Sequence, residues 1–160
     1  AALTGHMVFS TLHTNDAVGA LTRLTDMGIE PFLIASATVG ILAQRLVRVI
    51  CEKCKEPFHP PKKFLDLLQL TVKGDLPFFR GRGCPFCKET GYRGRIGIFE
   101  LLVINEPIRE LVLARASAME LKKEALKHGM RDLRSDGLKK AIKGLTTLEE
   151  VMRAIRVDIG

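Results

Sequence analysis

Apolar positions change their period several times along the chain, and each change marks a predicted element. Met7-Val8-Phe9-Ser10-Thr11-Leu12-His13 is short, largely apolar, and bounded by Gly5 and the polar Thr14-Asn15-Asp16. It reads as a buried strand that feeds a helix, the alternation of an α/β sheet. Ala17, Ala20, Leu21 and Leu24 then recur at helical spacing, with Thr14 or Asn15 as cap and Gly28 as stop. Pro31 suits the first turn of a second helix. Phe32 through Leu42 is apolar nearly all round, which predicts a buried helix with Gln44, Arg45 and Arg48 at its exit. Farther on, Pro60-Pro61 leads a short amphipathic helix carrying Phe64, Leu65, Leu67 and Leu68, and residues 71–83 read as loop and strand fragment. The glycines of Gly91-Tyr92-Arg93-Gly94-Arg95-Ile96-Gly97-Ile98-Phe99-Glu100 give tight turns, and its β-branched residues give a strand.

The rest is punctuated as four short amphipathic helices, a small bundle. Asn105 caps the first, with Ile108, Leu111 and Val112 on one face. Ser117 with Glu120 forms a capping box for the second, which Gly129 stops. Ser135 or Asp136 opens the third, with Leu138, Ala141 and Ile142, ending at Gly144. Thr147 with Glu150 is a further capping box, ahead of Leu148, Val151, Met152 and Ile155.

Four cysteines interrupt this pattern as two C-x-x-C pairs, Cys51/Cys54 and Cys84/Cys87, separated by 29 residues. A two-residue gap turns both thiolates of a pair toward one cation, and two such knuckles close a tetrahedral shell around zinc. Lys53, Lys55 and Lys88 lie beside the thiols and favour the thiolate form. Two disulfides or four free thiols are the alternatives, and His59 could replace one thiolate. Four thiolates leave no open coordination position, so zinc here would be structural, supplying folding energy to a small subdomain.

Length allows one domain, or one with a small insert, in 160 residues. No apolar run is long enough to span a bilayer, and no signal peptide is visible. The first residues, Ala1-Ala2-Leu3, lack an initiator methionine, which suggests a piece of a larger protein. The net charge is +7: residues 1–50 are neutral, 51–100 carry +4 and 101–160 carry +3. That excess permits contact with nucleic acid or an anionic membrane without requiring either. His13 falls at the end of the expected strand with hydroxyls beside it, where a parallel sheet binds ligands. There it could donate to a phosphate oxygen or orient a water, or be a structural histidine. His6, after Gly5, allows the same two readings. The chain contains no G-x-x-x-x-G-K-[ST] loop.

Thr4-Gly5-His6-Met7-Val8-Phe9-Ser10-Thr11-Leu12-His13-Thr14-Asn15-Asp16-Ala17 resembles the histidine box of bacterial secretion ATPases, the motors of type II secretion and type IV pilus assembly. Arg23-Leu24-Thr25-Asp26-Met27-Gly28 and Ala43-Gln44-Arg45-Leu46 are similar to the helices after that box. The cysteine pairs resemble the zinc insert of the extension-type members, and Gly91 to Glu100 the segment beyond it. Ser135-Asp136-Gly137 and Thr147-Leu148-Glu149-Glu150-Val151 resemble the helical tail. The resemblance implies an α/β fold: the C-terminal part of a RecA-like P-loop ATPase core (1–50), an inserted tetracysteine zinc subdomain (51–93), and a strand with a C-terminal helical bundle (94–160). It implies a cytoplasmic homo-hexamer, peripheral to the inner membrane, that uses ATP and Mg and docks on a membrane platform. His13, with His6 beside it, would face the γ-phosphate. Arg95 would lie near the base, and Arg23 and Arg45 at the site or a subunit boundary. The isolated piece would be inactive, and nucleic acid is not an expected partner.

Two other readings stand beside this one. The first is a zinc-ribbon nucleic-acid binder, in which Arg80, Arg82, Arg93 and Arg95 flank Phe78, Phe79, Phe86 and Tyr92. The second is a non-catalytic, zinc-stapled interaction module.

Overall fold

A computed structural model describes residues 1–61, 65 and 78–155. The chain is mixed α/β, in the order α1 (Ala17–Asp26), α2 (Pro31–Ala37), β1 (Gly40–Ile50), β2 (Lys55–Phe58), β3 (Phe78–Gly81), β4 (Tyr92–Val103), α3 (Glu106–Leu113), α4 (Ala118–Lys127), α5 (Leu133–Ile142) and α6 (Leu148–Ala154). β1 pairs with β4 and β2 with β3. The β2–β3 pair is antiparallel, with Lys55 opposite Gly81 and Phe58 opposite Phe78. Ile104 N donates to Val39 O at one end of the β1–β4 pair and Cys51 N to Gly91 O at the other, so these strands also run antiparallel. Two compact units result: Ala1–Gln44 with Phe99–Asp132, and Arg45–Ile98 with the chain from Leu133 on.

In the first unit, Val18, Leu21, Ile34, Leu102, Ile108 and Leu121 form the core. Its elements differ from the sequence reading in three places. Residues 6–13 form no strand, and Met7 and Phe9 are 75% and 91% exposed. The segment pairs with neither β1 nor β4, whose only partners among the described residues are each other, so its apolar pattern goes without the ladder that makes a strand. The apolar run from Phe32 gives a helix only to Ala37, then turns into β1. Ile41, Ala43, Arg45 and Val47 alternate along β1 with the more exposed Leu42, Gln44 and Leu46. That period of two belongs to a half-buried strand, which the summed apolarity concealed. Finally, the cap of α1 is Asp16, whose Oδ1 accepts from Gly19 N at 2.8 Å. A capping side chain serves an N–H two or three residues on, and Asp16 stands next to the first helical residue. Asn105 accepts from Ile108 N at 3.2 Å to cap α3. At α4 the Ser117–Glu120 box is complete, with bonds of 3.3 and 2.9 Å.

In the second unit, Phe78, Leu138, Leu148, Val151 and Met152 form one cluster, and Val47, Ile98 and Leu133 another. The four terminal helices pack as two pairs, α3 with α4 in the first unit and α5 with α6 here. Helix α5 begins at Leu133, earlier than Ser135 or Asp136, and Asp136 pairs with Lys140. Leu133 is buried, so core contact draws the first turn back. Gly137 lets α6 approach: a Cβ there would stand 2.6 Å from Val151 Cγ1. The expected helix around Phe64, Leu67 and Leu68 lies outside the described residues, except Leu65, which packs on the Phe78 cluster.

Glu150 departs from its expected role. Its N–H donates to Thr147 Oγ1 at 3.3 Å, but its carboxylate turns away to β1. Arg48 donates to it from its backbone N at 2.8 Å and from Nη2 at 2.7 Å, and Arg153 adds bonds of 3.0 and 2.8 Å. Thr146 Oγ1 donates to Arg48 O at 2.8 Å, and the Arg48 guanidinium lies 4.1 Å from the Tyr92 ring centre. The Tyr92 hydroxyl meets Thr147 Oγ1 at 2.9 Å. Burial pushes the Glu150 carboxyl up, but the bonds from Arg48 and Arg153 outweigh it and hold it near 2, below the ordinary 4.5.

A depressed carboxyl contributes stability above its unfolded value and loses it as pH falls through its folded one. Between about pH 5 and pH 2, Glu150 should therefore account for a loss of about 3 kcal/mol. Urea unfolding across this range should show a steep fall for the native sequence and a shallower one for Glu150→Gln. Equal slopes would contradict the role given to Glu150.

Candidate metal centre

Cys51 follows directly on β1, and Cys54 precedes β2 by one residue. Cys84 stands before a short 3-10 turn, Pro85–Cys87, that ends in the fourth cysteine. Their four sulfurs lie within 4.8 Å of one another. Three separations are 3.9 Å (Cys51–Cys84), 3.9 Å (Cys54–Cys87) and 3.7 Å (Cys84–Cys87). Disulfides require about 2.05 Å between sulfurs, and these cysteines are free. A tetrahedral shell with bonds of about 2.3 Å has sulfur–sulfur edges of about 3.8 Å, so the donor set fits an ion such as zinc.

Electrostatics and backbone geometry support the same arrangement. Cys84 N and Gly91 N each donate to Cys87 Sγ at 3.3 Å. Burial alone would push the Cys87 thiol up, but these amides and the neighbouring sulfurs hold it down at about 6. Burial pushes Cys54 up to about 12, so without a cation this pocket does not favour four thiolates. The N–H groups on Cys87 are backbone ones, whereas Lys53 lies 6.0 Å from the Phe86 ring and Lys55 4.5 Å from the Phe79 ring. Cys51 N donates to Gly91 O at 2.9 Å, and Arg82 N to Cys54 O at 3.0 Å. Gly81 and Gly91 cross so closely that a Cβ on Gly81 would stand 2.0 Å from Gly91 O. His59 is exposed after β2, and the cysteine cluster is complete without it.

The other expected site residues fall in both units. His6 and His13 are exposed in the irregular segment before α1, with His6 Nδ1 3.0 Å from Thr4 Oγ1. Arg23 is exposed in the last turn of α1. Arg45 is half-buried on β1 and Arg95 exposed on β4. His6, His13 and Arg23 belong to the first unit, Arg45 and Arg95 to the second. Among the described residues, the cysteines form the one cluster of His, Cys, Asp or Glu side chains able to hold a metal. Sequence reading missed Glu100, 1% exposed, whose Oε1 accepts from Ala17 N at 2.8 Å. Its signal was its place on the inward face of β4, between the buried Ile98 and Leu102.

Residues 1–153 match the Type II/IV secretion system protein family. The chain belongs to that family. It is 50% identical to the type II secretion system ATPase E of Vibrio cholerae, over 98% of this chain and 31% of that protein. It is 51% identical to the type IV pilus assembly ATPase PilB of Thermus thermophilus, over 95% of this chain and 17% of that protein. The type II secretion system protein E of Pseudomonas aeruginosa is 49% identical over 99% of the chain and 31% of its own length. The chain thus spans a third or less of these relatives. No helix among the described residues is long and apolar enough to cross a membrane.

Replacing Cys87 removes both a donor and the acceptor of two backbone amides. Cys87→Ser should lower bound metal well below one ion per chain. It should also destabilise the second unit by about 4 kcal/mol when zinc is a thousandfold above its dissociation constant. Metal analysis with urea unfolding reads both, and full zinc retention with an unchanged midpoint would contradict the assignment.

Proposed function

We propose that this chain is part of the motor of a secretion or pilus-assembly ATPase and carries a structural zinc. Carrying this reading is the family match across both the His13 segment and the cysteine cluster, with relatives named as ATPases of type II secretion and type IV pilus assembly. In the parent protein, a RecA-like core binds ATP and Mg, and His13 faces the γ-phosphate with His6 beside it. Arg95 serves the base, and Arg23 and Arg45 the site or a subunit boundary. The parent works as a homo-hexamer on the cytoplasmic side, against an inner-membrane platform. Its phosphate loop has no counterpart among these residues and is assigned to another part of the parent.

The zinc joins the two knuckles without chemistry of its own, because four thiolates fill its coordination. The nucleic-acid reading has less support. Phe86 already carries Arg93 at 3.8 Å, Phe58 carries Arg80 at 5.0 Å, and Phe79 and Tyr92 carry Lys55 and Arg48. These cations compete for the faces on which bases would stack.

The 160-residue chain alone should neither bind ATP tightly nor hydrolyse it, whereas the full-length protein should turn over ATP and lose at least tenfold in kcat on His13→Ala. Turnover by the isolated chain that His13→Ala abolishes, or an unaffected full-length His13→Ala, would overturn the reading.

A further inference from the structure

We propose that Glu100 is a positioning residue for the His13 segment: it pins the start of α1 from inside the core of the first unit. The inference rests on the proposed role of His13 and adds a residue to which that reading assigns nothing. Three observations carry it. Glu100 lies on β4 between Ile98 and Leu102, both buried, where an apolar side chain would suffice for packing. A carboxylate in such a place is costly unless a donor faces it. Its Oε1 receives the N–H of Ala17, 83 residues away in sequence, at 2.8 Å.

Ala17 is the first residue of α1, and its N–H is one of those that a helix cannot satisfy internally. Asp16 Oδ1 takes another, from Gly19. Two carboxylates therefore each take one amide of this helix start, one from the adjacent loop and one from the sheet, and the helix dipole favours both. Thr14 Oγ1 donates to Asp16 O at 3.0 Å, and Lys122 Nζ lies 3.8 Å from Asp16 Oδ2, so the cap residue is held at both its backbone and its side chain. His13 is one residue before Thr14 and four before the anchored amide. It has no regular secondary structure of its own, so its place relative to the sheet passes through this anchor.

An apolar residue of similar volume keeps the core filled but leaves the Ala17 amide without its carboxylate. In the full-length protein, Glu100→Leu should lower kcat for ATP hydrolysis by roughly 10- to 100-fold, with KM for ATP changed less than about threefold. Glu100→Gln, whose amide oxygen can still accept from Ala17, should recover most of that loss. The double variant Glu100→Leu/His13→Ala should be no slower than His13→Ala alone, because both act through one group. A merely structural role would instead give losses that multiply, and a Gln variant as impaired as Leu would place the effect in the charge; either result overturns the proposal. If Glu100→Leu is inactive through misfolding, amide exchange at Ala17–Gly19 in Glu100→Gln decides: protection kept with activity supports the anchor, and protection lost with activity kept removes it. A neutral His13→Ala would bring down the underlying reading of the site, whereas a damaging His13→Ala beside a neutral Glu100→Leu would bring down this inference alone.

Discussion

Four sulfurs gathered within 4.8 Å set the constraint around which this part of the second unit is built. They fix the end of β1 beside the turn that feeds β4, with Cys51 and Cys84 lying 33 positions apart in sequence. Everything near them is arranged for close approach. Gly81 and Gly91 cross without side chains, the Cys84 and Gly91 amides aim at Cys87, and Cys51 N is bonded to Gly91 O. A neutral set of buried thiols has little reason to attract such donors. A cation that converts them to thiolates does, and its binding free energy then becomes folding free energy for a hairpin with a modest core of its own.

Two buried glutamates do in polar chemistry what the cysteines would do around a metal ion. Each joins a helix start to a strand far away in sequence: Glu150 joins α6 to Arg48 on β1, and Glu100 joins β4 to Ala17 at the head of α1. Both are 1% exposed, a placement that carboxylates tolerate only when their oxygens meet donors. Removing one partner would leave an uncompensated buried group, which is why such contacts specify one register.

The sequence made the punctuation visible where the signal is local. Asn105, the Ser117–Glu120 box and the glycine stops rely on contacts three or four residues apart, and they formed as expected. The cysteine cluster was equally legible, because two C-x-x-C pairs admit few other arrangements. Long-range competition was not legible. The run after Phe32 is apolar enough for a helix, yet from Gly40 on it pairs with β4, a partner some fifty residues later. Glu150 looked like half of a capping box until Arg48 claimed its carboxylate. Glu100 shares the period of two with Ile98 and Leu102, but only the fold shows that Ala17 N meets its charge inside. Met7 to His13 has a strand-like pattern, but no described strand pairs with it, so pattern alone could not make a sheet.

A tetrathiolate centre is defined by the identity and shell of its metal. X-ray absorption at the zinc edge, with metal analysis of the purified chain, reads both together. The expected result is one zinc per chain with four sulfur neighbours at about 2.3 Å and no lighter ligand. A chain without zinc and with two disulfides, or a shell containing nitrogen or oxygen donors, would contradict it.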